Sequence, residues 1–111
     1  MAVHISVVDD EAAMRKTLAE AITAWANVAR VNVRISEYPS AKAFLFAYEE
    51  KKGCDILLAD IEMDGINGVE MAERVRLEDD SIQIVFITGY PDYMSRGYDV
   101  SALHYLLKPL S

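Results

Sequence analysis

Cysteine is almost missing from this chain. Its single thiol, Cys54, has no partner for an internal disulfide and no ligand-spaced neighbour for a metal, which fits a reducing compartment and a role as a small filler at a strand edge. Basic residues are scarce as well: 11 Lys and Arg stand against 18 Asp and Glu, a formal charge of -7. A face that grips nucleic acid needs clustered cations, so direct nucleic-acid binding by this segment is not expected and any DNA contact would lie elsewhere. No apolar run approaches the roughly 20 residues of a membrane span. The N-terminus also lacks the basic start and small-residue cleavage site of a signal peptide. The expectation is a soluble, cytoplasmic protein with no membrane contact. Repeats, low-complexity tracts and linkers are missing too. With 52% apolar residues in 111, the chain has material for one core and not for two.

What the chain does have is a series of apolar runs that each stop at a chemically distinct residue. Residues 3–8 end at the acid pair Asp9-Asp10, and Ile56-Leu57-Leu58-Ala59 ends at Asp60 before a loop containing Gly65 and Gly68. Residues 82–87 end at Thr88, and residues 103–107 end at Lys108-Pro109. In a parallel sheet such ends converge on one edge, where the ligands of open α/β folds sit. Acid pair, acid, hydroxyl and cation together suit a magnesium-assisted phosphoryl acceptor. Magnesium takes carboxylate and carbonyl oxygens completed by water and phosphate, and a transferring phosphoryl group takes fixed donors and cations.

Singly, each residue has a plainer explanation. Asp9 and Asp10 could be an N-cap and first-turn acids favoured by the helix dipole. Asp60 could be a turn former, Thr88 an ordinary strand residue and Lys108 a solvated charge. Those explanations do not account for the four in combination. A calcium loop is excluded: Asp60-x-Glu62-x-Asp64-Gly65 imitates its start, but Met71 stands where the bidentate glutamate belongs. His4 and His104 are isolated and read as polar strand residues.

The periodicity predicts alternating strands and helices. Strand one covers 3–8, and helix one runs from 11 to about 28 with Met14, Leu18, Ala21, Ile22, Trp25 and Val28 inward. Val31, Val33 and Ile35 alternate with polar residues in a half-buried edge strand. Ser40 caps helix two, which turns Phe44, Leu45 and Tyr48 inward and closes at Gly53. Strand three covers 56–60, helix three 68–79 with Val69, Ala72 and Val75 inward, strand four 82–88 and strand five 103–107. Helix four, over 91–100, is thinly encoded: its stripe is Met94 and Tyr98, and Gly97 costs about 1 kcal/mol relative to Ala. It is either a poor helix held by packing or an element able to shift. Short connections imply parallel pairing, giving an α/β, flavodoxin-like, doubly wound five-stranded sheet of order 2-1-3-4-5. Nothing follows strand five before Ser111, so the expectation is one domain over 1–111, truncated after strand five, with the fifth helix missing and the sheet beside helix one uncovered.

Val7-Val8-Asp9-Asp10-Glu11, Asp60-Ile61-Glu62-Met63 with Gly68, Ile87-Thr88 and Tyr105-Leu106-Leu107-Lys108-Pro109 occur in the order found in the receiver domain of bacterial two-component response regulators, which this chain resembles from Val3 to Pro109. The resemblance implies that Asp60 accepts a phosphoryl group from a sensor histidine kinase. It implies that Asp10 and Asp60 bind magnesium directly, with Asp9 acting through water and Glu62 lending its backbone carbonyl. Thr88 would contact the phosphoryl oxygens, Lys108 would pair with Asp60 or its phosphate, and Tyr105 would be the switch aromatic that follows Thr88, unless it is simply a packed strand tyrosine. The segments around 88–93 and 102–109 are similar to receivers that precede LytTR-type DNA-binding domains, which implies transcriptional output through a domain outside this chain. The face of helix four, strand five and the fifth helix is the expected surface for a partner or a second copy.

Two positions depart from the family pattern. Asp64 stands where proline is common and Gly89 where alanine is usual. They bear on loop stiffness and phosphorylation lifetime. The alternative is a haloacid-dehalogenase-like, magnesium-dependent phosphohydrolase, which also forms an aspartyl phosphate. Such enzymes carry Asp-x-Asp after strand one, whereas here Asp9 and Asp10 are adjacent. A receiver promotes only its own phosphoryl transfer and dephosphorylation and is not an enzyme in the ordinary sense. A flavin-binding flavodoxin would need a Ser/Thr/Gly-rich phosphate loop after strand one.

Overall fold

A computed structural model describes residues 2–50, 53–63, 65–88 and 104–107, with Thr88 and residues 104–107 described by backbone alone. Eight elements follow one another: β1 (Val3–Val8), α1 (Ala12–Ala29), β2 (Val33–Tyr38), α2 (Ala41–Glu50), β3 (Ile56–Ala59), α3 (Gly68–Arg76), β4 (Gln83–Thr88) and β5 (His104–Leu107). The strands form one sheet of order β2-β1-β3-β4-β5, the predicted order. All four neighbouring pairs are parallel. The expected helix over 91–100, and the expected close of α2 through residues 51–52, lie outside the described residues.

Local chemistry sets the element boundaries. α1 ends at Arg30, whose N–H still reaches the Ala26 carbonyl and whose left-handed backbone (φ 57°) turns the next amide back onto the helix end. Val31 also donates to that carbonyl at 3.0 Å. This is why β2 begins at Val33 and not at Val31, where the alternation starts: the Val31 amide is already committed to closing the helix. Ser40 caps α2 as expected, its Oγ accepting from the Ala43 amide at 3.0 Å. Asn67 caps α3 by accepting from the Glu70 amide at 2.9 Å. α3 stops at Arg76, short of 79, because the Glu78 and Asp79 amides both turn onto the Val75 carbonyl, at 3.1 and 2.9 Å.

Strand residues alternate between two packed layers. Val8, Leu57, Ala59, Ile84 and Phe86 join Phe44, Tyr48, Val69, Met71, Ala72 and Val75 on the α2/α3 side. Val7, Val85 and Ile87 join Leu18 on the α1 side, with Met14, Ile22, Ile35 and Leu58 partly buried beside them. The inward stripe of α1 needs a correction. Met14, Leu18, Ile22 and buried Ala26 form the contact line, while Trp25 is 56% exposed and Val28 is 86% exposed. The helix presents its 14-18-22-26 line to the sheet, so Trp25 falls to the flank. There it lines an apolar groove with Ile5, Ala21, Ile22, Ile56 and Leu58.

Candidate functional site

Sheet register brings the acids together. Val8 and Ala59 are partners on neighbouring strands, so Asp9 and Asp60 leave the sheet side by side. The Asp60 amide donates to the Val8 carbonyl at 2.9 Å and the Asp9 amide to the Tyr38 carbonyl at 3.2 Å, which fixes both backbones where the strands end. Asp9 is 1% exposed and Asp60 6%, whereas Asp10 and Glu11 are exposed. One carboxylate oxygen from each of Asp9, Asp10, Glu11 and Asp60 lies within 4.8 Å of the others. Unit charges at that spacing repel by about 3 kcal/mol per pair at the effective dielectric constant of roughly 20 that suits protein sites.

The β1–α1 turn is built around Asp9. Its Oδ1 accepts from the Glu11 amide at 2.9 Å, and its carbonyl accepts from Arg15 Nη1 at 2.6 Å. Arg15 Nε in turn sits 3.6 Å from Glu37 of β2. Beyond Asp60 the loop is anchored by buried Ile61 and Met63, and the Gly68 amide donates to the Ile61 carbonyl at 2.9 Å. A Cβ on Gly68 would overlap the Asp60 carbonyl, so only glycine lets the loop double back here.

This donor set fits a hard divalent cation. It is all oxygen, half buried and half open, and an ion of that class keeps several waters alongside a few carboxylates. Of the predicted residues, Asp9, Asp10 and Asp60 are brought together. Thr88 closes β4 opposite Leu107, and Tyr105 pairs with Phe86; the side chains of both lie outside the described residues, as does all of Lys108. Glu62 has an exposed side chain two residues past Asp60, and its carboxylate is not in the cluster. Two residues outside the predicted set join the acids: Glu11 is in the cluster and Arg15 is behind it. Glu11 was legible from its place beside the acid pair; Arg15 was not.

Two polar side chains away from the acids, His4 and Cys54, bond within the fold. His4 Nδ1 bonds the Gly53 carbonyl and its Nε2 the Ser36 hydroxyl, each at 2.9 Å. The His4 amide donates to Asp55 at 2.8 Å. These contacts tie β1, β2 and the start of β3 at the edge opposite the acids. Cys54 is buried, donates to the Ile56 carbonyl at 3.2 Å, and has its thiol pKa pushed up by burial.

The doubly wound parallel sheet thus gathers carboxylates where β1 and β3 end. The chain belongs to the response regulator receiver domain family, whose model matches residues 5–111. It is 31% identical over 113 residues to the sensory transduction protein LytT of Oceanobacillus iheyensis, covering 100% of this chain and 44% of that protein. To LytT of Bacillus subtilis it is 31% identical over 108 residues, covering 96% of this chain and 42% of that protein. The chain thus spans less than half the length of these relatives. Among solved structures, the response regulator TrrA of Thermotoga maritima, in complex with Mg(2+)-BeF, aligns with a TM-score of 0.82 at 27% identity over 98% of this chain and 89% of that one. The Vibrio cholerae chemotaxis protein CheY4 shares the fold, with a TM-score of 0.79 at 20% identity over 100% and 90% of the two chains. The protein is therefore a two-component receiver domain, a signalling module, and the phosphohydrolase alternative finds no support in the family match. No helix among the described residues is long and apolar enough to cross a membrane.

Proposed function

We propose that Asp60 is the phosphoacceptor and that the domain takes its phosphoryl group from a phosphohistidine of a sensor kinase. The observation that carries this reading is the gathering of the Asp9, Asp10, Glu11 and Asp60 carboxylates within 4.8 Å at the ends of two adjacent parallel strands. An Asp60 carboxylate oxygen attacks phosphorus; the O–P bond forms as the P–N bond breaks, and the departing imidazole keeps the electron pair. Magnesium, when bound, supplies the positive charge that offsets carboxylate repulsion and the phosphoryl oxygens. Asp10 and Asp60 would hold it, with the Glu62 carbonyl as a further ligand and Asp9 contributing through water. Thr88 donates to the phosphoryl oxygens and Lys108 pairs with them. Tyr105 is the switch residue that follows Thr88.

Residues 1–111 are the receiver part of a longer regulator in this reading, supported by relatives in which the matched segment is 44% of the protein. The output is a LytTR-type DNA-binding domain, and the module works in the cytoplasm, where phosphoryl donors are made. Its surface of the fourth helix, β5 and a fifth helix serves the partner or a second copy. Incubation with acetyl phosphate and magnesium should add one phosphoryl group to the intact mass, and Asp60→Asn should prevent it. Undiminished labelling of Asp60→Asn would overturn the assignment, and release of many equivalents of phosphate would favour a hydrolase.

A further inference from the structure

The geometry points to Arg15 as the positioning residue of the ion site, fixing the Asp9–Asp10 peptide from behind the carboxylates with Glu37 as its counter-charge. This rests on the ion-site reading above. Arg15 Nη1 donates to the Asp9 carbonyl at 2.6 Å and its Nε faces Glu37 at 3.6 Å. Its contacts are thus with a carbonyl and with a carboxylate outside the cluster, although four acids converge one turn away.

That carbonyl begins the peptide leading to Asp10. The Asp10 side chain is exposed, so its attachment to this peptide sets the place from which its carboxylate reaches the cluster. The Asp9 amide and Oδ1 are held by Tyr38 and Glu11, and the Arg15 bond is the restraint on the carbonyl. A guanidinium free to swing would pair with the acids and compete with a cation. Bonded to the carbonyl and balanced by Glu37, it stiffens the turn with little net field of its own. Removing Glu37 therefore acts through charge, whereas removing Arg15 frees the peptide and leaves Glu37 unbalanced, a gain in cation attraction that the geometric loss outweighs.

The test is a Mn²⁺ titration of the whole chain followed by electron paramagnetic resonance, with amide exchange at Glu11 read in metal-free buffer. Arg15→Gln should raise the Mn²⁺ dissociation constant about tenfold, or about 1.4 kcal/mol, and speed Glu11 exchange. Arg15→Lys should recover less than half of that, because an ammonium lacks the fork that meets both partners. Glu37→Gln should raise the constant only about threefold, and that loss should fade at high salt as the unbalanced charge is screened. Wild-type affinity and unchanged Glu11 exchange in Arg15→Gln would overturn the role of Arg15 and leave the ion site standing. If Arg15→Gln does not fold, unchanged affinity in both Arg15→Lys and Glu37→Gln overturns it instead. Absence of saturable Mn²⁺ binding to the wild type overturns the ion site itself and this inference with it.

Discussion

The carbonyl of Asp60 occupies the space that a Cβ of Gly68 would need. The acid and the first residue of α3 are therefore set against each other through the backbone, with no side chain between them. The same loop contains Gly65, whose φ of 81° requires the left-handed region but whose missing Cβ would meet nothing within 4 Å.

The two glycines should respond differently to substitution. Gly68→Ala forces backbone apart and should cost about 2–3 kcal/mol, as overpacking does. Gly65→Ala should cost about 1 kcal/mol from backbone strain alone. Urea unfolding of both variants measures the difference, and equal losses would contradict the close approach.

Magnesium should raise the melting temperature, by the equivalent of about 1.4 kcal/mol at ten times its dissociation constant. Asp10→Asn should remove most of that gain. It should also make the metal-free protein more stable than the wild type, because one charge leaves a crowded cluster. A melting temperature that ignores magnesium in the wild type would rule out a shared ion.

Alkaline pH should destabilise the fold through Cys54. Burial raises its thiol pKa above the ordinary 9.0, so the folded state favours the neutral form. The stabilisation is complete below pH 9, where the unfolded thiol is also neutral, and is lost as pH rises from there toward the raised folded value. Urea midpoints taken between about pH 8 and 10.5 should fall more steeply for the wild type than for Cys54→Ala. Parallel curves would remove Cys54 from the alkaline transition.

His4→Leu should lower stability by about 1–2 kcal/mol, the scale of two lost hydrogen bonds partly offset by apolar gain. Divalent-ion affinity should not change, because His4 lies near the start of β1 and the acids follow its end. Urea unfolding of the variant checks the first expectation and calorimetric titration the second.

The sheet was legible because parallel strands buried on both faces read as apolar runs, and each run here gives way to a polar or charged residue. Asp9, Asp10 and Asp60 were legible for the same reason. Trp25 was misplaced because a seven-residue step returns it close to the direction of Leu18 on an isolated helix. Only the docking of α1 on the 14-18-22-26 line decides which flank of the apolar arc stays open. Arg15 was illegible because its role depends on Glu37, a residue on another strand with no fixed spacing in the chain. Lys108 and the side chains of Thr88 and Tyr105 lie outside the described residues and remain candidates.

Trp25 is the chain's single tryptophan, more than half exposed and lining the groove with Ile5, Ile22, Ile56 and Leu58. Tryptophan emission from this chain, excited at wavelengths its tyrosines do not absorb, therefore comes from one place on its surface. Emission wavelength and iodide quenching report the wetness of that groove without any introduced label. A blue shift with protection from quencher would register whatever comes to cover α1 and the middle of β1 and β3.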